Sequence, residues 1–210
     1  YVEAIMESEN MPADTLNKYH QTIYNNAVYV NKLIDDLFLF SKLDMEKLDF
    51  KLEELNLKAF MDDIMQEFEF ELENRNVIFN YESNIKDNYF FSIDGKRMYQ
   101  VLKNIIGNAV KYGNKENSEI TVRLYVEENN ACIAIKDNGP GIAKDKLPHI
   151  FDRFYRVDYA RTKDLISTGL GLAIAKELIE AQNGSIEVTS EENIGTCFTV
   201  LIPSREETLI

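Results

Sequence analysis

The chain has 210 residues, 45% hydrophobic and 28% charged, an ordinary globular balance that excludes collagen-like, mucin-like and wholly disordered readings. A formal net charge of −13 makes it a poor binder of nucleic acid or an anionic membrane surface unless its few cations cluster. Cys132 and Cys197 lie far apart without a CxxC spacing, which argues against a disulfide scaffold or a zinc site, and with no signal peptide and no long apolar run nothing in these residues spans a membrane.

Tyr1 to Glu9 reads as the tail of a helix, and Asn10-Met11-Pro12 breaks it. The chain opens inside a helix-like pattern and is expected to be a piece excised from a longer protein. From Ala13 an apolar stripe recurs at spacings of three and four through Leu16, Tyr19, Ile23, Ala27, Val30, Leu33, Ile34, Leu37, Phe40 and Leu43. That is about 30 residues, or on the order of 45 Å of helix. So long a stripe needs a partner, and a helical hairpin paired with a second copy would cover it.

Alternation over Asp49–Glu53 predicts a strand, and Asn56 is placed to cap a helix from Leu57 to about Glu73. Strands are predicted at Val77–Tyr81 and Tyr89–Ile93, then a helix after Asp94, from about Lys96 to Tyr112. Ile120–Val126 and Ala131–Lys136 read as strands joined at Asn129-Asn130. Asn138 to Thr168 holds a Gly-Pro-Gly segment, a short helix and a polar stretch. Gly169 opens a helix closing near Asn183-Gly184. Ile186–Ser190 and Thr196–Ile202 form a last hairpin. Residues 1–47 are thus helical, and 48–210 form an α+β domain whose tail from Pro203 is expected to fray.

Four clusters carry chemistry. Asn104, Asn108, Lys111 and Tyr112 fall on one helical face, around which Val101, Leu102, Ile105, Ile106 and Ala109 take the buried positions. Amide oxygens are hard ligands for Mg²⁺ and Lys is a point charge for phosphate, although a solvated helix face would show the same row. Asp137-Asn138-Gly139-Pro140-Gly141-Ile142 ends an apolar strand. Its glycines allow close approach of a ligand, and its carboxylate can accept from an exocyclic amine such as that of adenine. A plain surface turn is the alternative. Phe151-Asp152-Arg153-Phe154-Tyr155-Arg156 alternates aromatics with arginines, suiting a loop anchored by rings while an Arg reaches phosphate, or simple packing. Gly169-Leu170-Gly171-Leu172-Ala173-Ile174 opens a helix, where backbone N–H groups meet anions, or where a helix merely packs tightly.

In this order and spacing the four resemble the N, G1, F and G2 boxes of the sensor histidine kinase family. Lys32-Leu33-Ile34-Asp35-Asp36-Leu37 and Ser41-Lys42-Leu43-Asp44 resemble the second helix of that family's dimerisation and phosphotransfer domain. The resemblance spans nearly the whole chain. It implies a two-layer α/β sandwich of the histidine kinase, gyrase and Hsp90 type over 48–210, behind a partial helical-hairpin dimerisation domain over 1–47.

The resemblance also implies roles. ATP and Mg²⁺ are the expected ligands, with Asn108 on the metal and Asn104 near metal and phosphates. Lys111 meets phosphate, Tyr112 packs on the nucleotide, and Asp137 recognises the adenine amino group. Gly139, Gly141 and Ile142 shape that pocket. Arg153 meets the γ-phosphate, and Phe151 and Phe154 anchor its segment. Thr168, Gly169, Leu170, Gly171 and Leu172 line the lid hinge. The lid, roughly Asn138 to Thr168, concentrates Lys144, Lys146, Arg153, Arg156, Arg161 and Lys163, as a tetra-anionic ligand favours. Hydrolytic relatives of the gyrase, chaperone and mismatch-repair types place a water-activating Glu where this chain has Asn104, and an Asn cannot act as that base. The γ-phosphoryl group is then kept for a histidine and passed to an Asp of a response-regulator partner.

Two departures stand against the pattern. The phosphoacceptor motif, of the Ser-His-Glu-Leu-Arg-Thr-Pro kind, is absent. The two histidines, His20 and His149, lie outside any such motif. The acceptor is expected about 15 residues upstream of Tyr1, roughly four helical turns, so the chain should bind ATP without phosphorylating itself. The G2 segment opens Ser167-Thr168-Gly169 where the family often has Gly-Thr-Gly. The expected setting is the cytoplasmic portion of a membrane protein, with membrane contact only through missing N-terminal residues and homodimerisation through the hairpin. The rival readings are a hydrolytic relative of the same fold and a degenerate nucleotide-binding or dimerisation module.

Overall fold

A computed structural model describes residues 1–8, 11–45, 47–86, 89–113, 117–128, 130–157 and 168–203. A short helix α1 (Val2–Glu7) precedes α2 (Ala13–Asp44), with Pro12 at the helix start. The Tyr1 and Tyr19 rings meet edge to face at 4.9 Å. Only Asp36 and Phe40 of α2 are buried; Val30, Ile34 and Leu37 of the apolar stripe stay exposed, Ile34 at 59%. Among the described residues no helix is long and apolar enough to cross a membrane.

The second part is built from β1 (Glu53–Asn56), α3 (Leu57–Leu72), β2 (Val77–Ser83), β3 (Phe90–Ile93), α4 (Gly95–Tyr112), β4 (Ser118–Glu127), β5 (Asn130–Asp137), α5 (Gly171–Glu180), β6 (Ser185–Glu191) and β7 (Gly195–Pro203). Asn56 caps α3 by accepting from the Ala59 N–H, and Asp94 caps α4 by accepting from the Arg97 N–H, both at 3.0 Å. The strand expected at Asp49–Glu53 instead begins at Glu53. The Lys51 N–H is taken at 2.9 Å by the second Asp94 oxygen, so that backbone bonds a helix cap rather than a ladder. The Asp94 N–H in turn donates to Gln182 Oε1 at 2.8 Å. One buried carboxylate therefore ties the entry segment to α4, and the Gln182 side chain ties the start of α4 to the residues just after α5.

The main sheet runs β2-β4-β5-β7-β6, and β1 pairs with β3 separately. Hairpins account for β4–β5 and β6–β7, as expected, while β2 joins β4 in parallel. The β4–β5 turn sits one residue earlier than expected, with Asn130 already paired to Glu127 and Glu128 at φ 48°. Strand alternation points Ile120, Val122, Leu124, Ile133, Ile135, Phe198 and Val200 into the core. There they meet Met61, Met65, Phe68, Leu102, Ile105, Ile106, Ile174 and Leu178 of the helices, forming one sheet layer and one helix layer. The connection from β5 to α5 leaves at the edge of these layers, beside α4. It carries the second, third and fourth clusters.

Candidate functional site

Helix α4 buries Met98, Val101, Leu102, Ile105, Ile106 and Ala109, which turns Asn104, Asn108 and Lys111 outward, each half-buried, with Tyr112 exposed at the end. The Asn104 Nδ2 donates to the Gly171 carbonyl at 3.0 Å. This bond joins the first cluster to the fourth and fixes the start of α5. The Asn108 amide makes no side-chain hydrogen bond among the described residues. Lys111 Nζ lies 5.0 Å from the centre of the Tyr112 ring.

Burial, then the Arg156 guanidinium, then the Lys32 ammonium lower the Lys111 pKa to about 8. The Lys111 ammonium is thus within electrostatic reach of a cation on the lid segment and another on α2.

At the end of β5, Asp137 Oδ1 accepts from the Gly139 N–H at 2.8 Å and the Thr196 N–H at 3.3 Å. Burial pushes its carboxyl pKa up, against these two bonds, which pull it down. Oδ2 makes no hydrogen bond among the described residues. Gly139 is required here by space. A Cβ on it would stand 2.8 Å from Asp137 Oδ1 and 3.1 Å from the Tyr112 carbonyl, so the loop and the end of α4 touch. Gly141 turns at φ 67° against the Glu191 backbone, and the Ile142 N–H donates to Ser190 Oγ at 2.8 Å. The β6–β7 hairpin therefore holds the loop in place.

In the third cluster, Phe151 packs edge to face on Phe198 at 6.3 Å and lies under Lys176 Nζ. Phe154 does not anchor: it is 52% exposed, at φ 62°. Its backbone N–H donates to the Gly169 carbonyl at 3.0 Å, and a Cβ on Gly169 (φ 73°) would strike the Phe154 backbone at 2.8 Å. The third and fourth clusters are thus pinned by their main chains, and the glycine is what allows it. The helix expected from Gly169 begins at Gly171, because Thr168 Oγ1 accepts the Leu170 N–H at 3.3 Å and caps the turn before it. Leu170 is buried and Leu172 half-buried against the core. Arg161 and Lys163 lie outside the described residues.

The site has a contribution that motif reading passed over. Thr168 Oγ1 donates to Asp36 Oδ2 at 2.8 Å, and Arg153 Nη2 donates to Asp44 Oδ1 at 3.0 Å. The Arg153 guanidinium also lies 4.0 Å from the centre of the Phe40 ring. Lys32, Asp36, Phe40 and Asp44 are spaced four apart, so they form one row along α2. That spacing was available in the sequence, but nothing there indicated what the row faces.

The Asn108 amide oxygen could serve a divalent ion as a hard ligand, with Asn104 Oδ1 one turn away on the same face of α4. Among the described residues no group of three His, Cys, Asp or Glu side chains gathers to hold a metal. The residues fit an ion shared with the phosphates of a bound nucleotide, as Mg²⁺ is often held. A separate open groove of about 500 Å³ between α3 and β2 is lined by Asp62, Glu69, Tyr81 and Glu82 among others. Its acidic wall would repel a polyphosphate, and none of the expected site residues borders it.

Residues 93–206 match the family described as Histidine kinase-, DNA gyrase B-, and HSP90-like ATPase. The sensor histidine kinase WalK of Bacillus subtilis is 38% identical over 99% of this chain, and the sensor protein SrrB of Staphylococcus aureus 34% identical over 98%. The chain spans about a third of the length of these two relatives, 34% and 35% respectively. Among solved structures, the catalytic domain of histidine kinase ThkA superposes with a TM-score of 0.61 at 26% identity, covering 74% of this chain and 97% of that one. The Acinetobacter baumannii histidine kinase AdeS shares the fold over 98% of this chain and 92% of its own, with a TM-score of 0.75 at 24% identity. The matched segment contains all four clusters that the fold gathers around the end of α4. The chain belongs to the histidine kinase-, DNA gyrase B- and HSP90-like ATPases, and within them it carries the ATP-binding catalytic domain of the two-component sensor kinases.

Proposed function

We propose that the chain binds ATP at the end of α4 and supplies its γ-phosphoryl group to a histidine, from which it passes to an aspartate of a response regulator. The observation that carries this reading is Asn104. An amide cannot take a proton from water, and this one is already committed to the Gly171 carbonyl. The pocket therefore has the means to hold a triphosphate and, at that position, no base to hydrolyse it. Asp137 Oδ2 would accept from the adenine amino group, Lys111 and Arg156 would meet phosphate, and Tyr112 would pack on the nucleotide. Gly139, Gly141 and Ile142 would shape the base pocket, and Arg153 would reach the γ-phosphate. The N–H groups at the start of α5 favour the same anion. Bound Mg²⁺ would offset phosphate charge, and Asn108 Oδ1 would hold it.

In transfer, an imidazole nitrogen forms a bond to the γ-phosphorus as the bond to the bridging oxygen breaks, and ADP leaves with that electron pair. Neither histidine suits the attack. His149 sits in the Pro-His-Ile lead-in of the third cluster and His20 lies on exposed α2, neither with an acceptor motif around it. We therefore place the acceptor on a segment not among these residues, so the chain alone does not label itself. ThkA has been crystallised with the response regulator TrrA. A response regulator, and a second copy of the chain through the exposed stripe of α2, are the partners proposed here. The full-length protein is read as a membrane-linked sensor with this portion in the cytoplasm.

Two experiments test the reading. Mixed with a separate helix that carries an intact acceptor motif, the chain should move label from ATP to that histidine. Steady phosphate release by the chain alone, with no label on the acceptor, would favour the hydrolytic reading instead. Asn108→Ala should remove most of the difference between ATP titrations in Mg²⁺ and in chelator. An undiminished difference would take Asn108 off the metal.

A further inference from the structure

Two contacts between helix α2 and the site differ in strength. Asp36 and Thr168 are 8% and 7% exposed, and their 2.8 Å bond is closed to water. Breaking it would strand a buried carboxylate, so it is hard to open. The other link is Arg153. Its guanidinium donates to Asp44 at 3.0 Å and covers the Phe40 ring at 4.0 Å, but the Arg153 and Asp44 side chains are both more than half exposed. An exposed ion pair shifts an equilibrium by at most about five-fold. One link is a fixed point and the other can be released.

A triphosphate carries several negative charges and binds a guanidinium more tightly than one exposed carboxylate does. Arg153 cannot serve both well. A γ-phosphate sharing its guanidinium would stand close to the Asp44 carboxylate, and like charges that close repel. We propose that Asp44 and Phe40 are positioning residues that hold Arg153 on α2, and that a nucleoside triphosphate draws Arg153 away while the Asp36–Thr168 bond keeps its place. This rests on the reading that Arg153 meets the γ-phosphate. Coupling of this kind is reciprocal: whatever loosens Arg153 from α2 tightens triphosphate binding, and triphosphate loosens the end of α2 from the lid segment.

The test is calorimetric titration of this 210-residue chain, in Mg²⁺, with a nonhydrolysable ATP analogue and with ADP. Asp44→Asn, a change at an exposed position, should bind the triphosphate about two- to five-fold tighter. ADP affinity should not change, and Asp44→Asn should have no effect in an Arg153→Ala background. The Arg153 side-chain N–H resonance should move when the triphosphate analogue is added to the wild type, and less with ADP. Unchanged or weaker triphosphate binding by Asp44→Asn would overturn the proposal. So would an equal gain for ADP, or a gain that persists without Arg153. If the wild type binds no nucleotide, the proposed function itself fails. If it binds normally and Asp44→Asn has no effect, only the positioning role does.

Discussion

Asp137→Asn should weaken ATP binding by about ten- to a hundred-fold while making the empty chain more stable at neutral pH. The two effects have one cause. Asn retains an oxygen for the Gly139 and Thr196 N–H groups, so the loop keeps its bonds. It replaces Oδ2 with an amide that donates, and a donor then faces the donor of the adenine amine. Losing a hydrogen bond to a charged group costs about 1.5–3 kcal/mol, which sets the fold-change. The stability gain comes from the raised carboxyl pKa, whose first cause is burial. A carboxyl held higher in the folded state contributes stability that is full below its unfolded pKa of about 4 and is lost as pH rises through the folded value. Asn never ionises and so escapes that loss. Thermal scans should show variant and wild type alike in acid, with the variant ahead by pH 7. A variant that binds ATP normally would move the adenine site away from Asp137.

Lys111→Met should likewise separate binding from stability. The ammonium pKa stands at about 8 against an ordinary 10.5, through burial first and then Arg156 and Lys32. Between those values the unfolded chain holds a proton that the folded chain has released, so stability rises with pH across that window. The cost of a charged Lys111 is full below about pH 8 and gone above 10.5. The methionine variant should therefore melt higher than wild type at pH 7 and bind ATP at least about ten-fold more weakly, having lost a phosphate cation. Bound phosphate should also pull the lysine pKa back up. ATP titrations at pH 8.5, run in two buffers of different ionisation enthalpy, should report proton uptake by the wild type and little by the variant. Equal uptake by both would assign that proton to another group.

Much of this site could be read along the chain because its signals are local. Asn104, Asn108 and Lys111 share a face through helical period alone, and Gly139, Gly141 and Gly169 mark places where backbone must turn or pass closely. Asn56 and Asp94 announced their helices for the same reason, since a cap is a contact between residues three apart. Where a local signal was overridden, the override came from afar. The alternation at Asp49–Glu53 gave way because Asp94, 43 residues on from Lys51, claimed its N–H. The aromatic spacing around Arg153 suggested two anchors, and the Phe154 main chain was bent out to meet Gly169 instead.

The chemical character of the protein was in the sequence: the order of its elements, the residues of the candidate site, and an amide at position 104 rather than a carboxylate. Period and spacing decide such features, and they act over a few residues. Only the tertiary structure decided that α2 lies against that pocket, with Asp36 on Thr168 across 132 residues and Asp44 on Arg153 across 109. A side chain carries its charge and its helical face wherever the chain goes. Which partner it meets depends on how separate elements bury their apolar surfaces together, and no short stretch of residues contains that information.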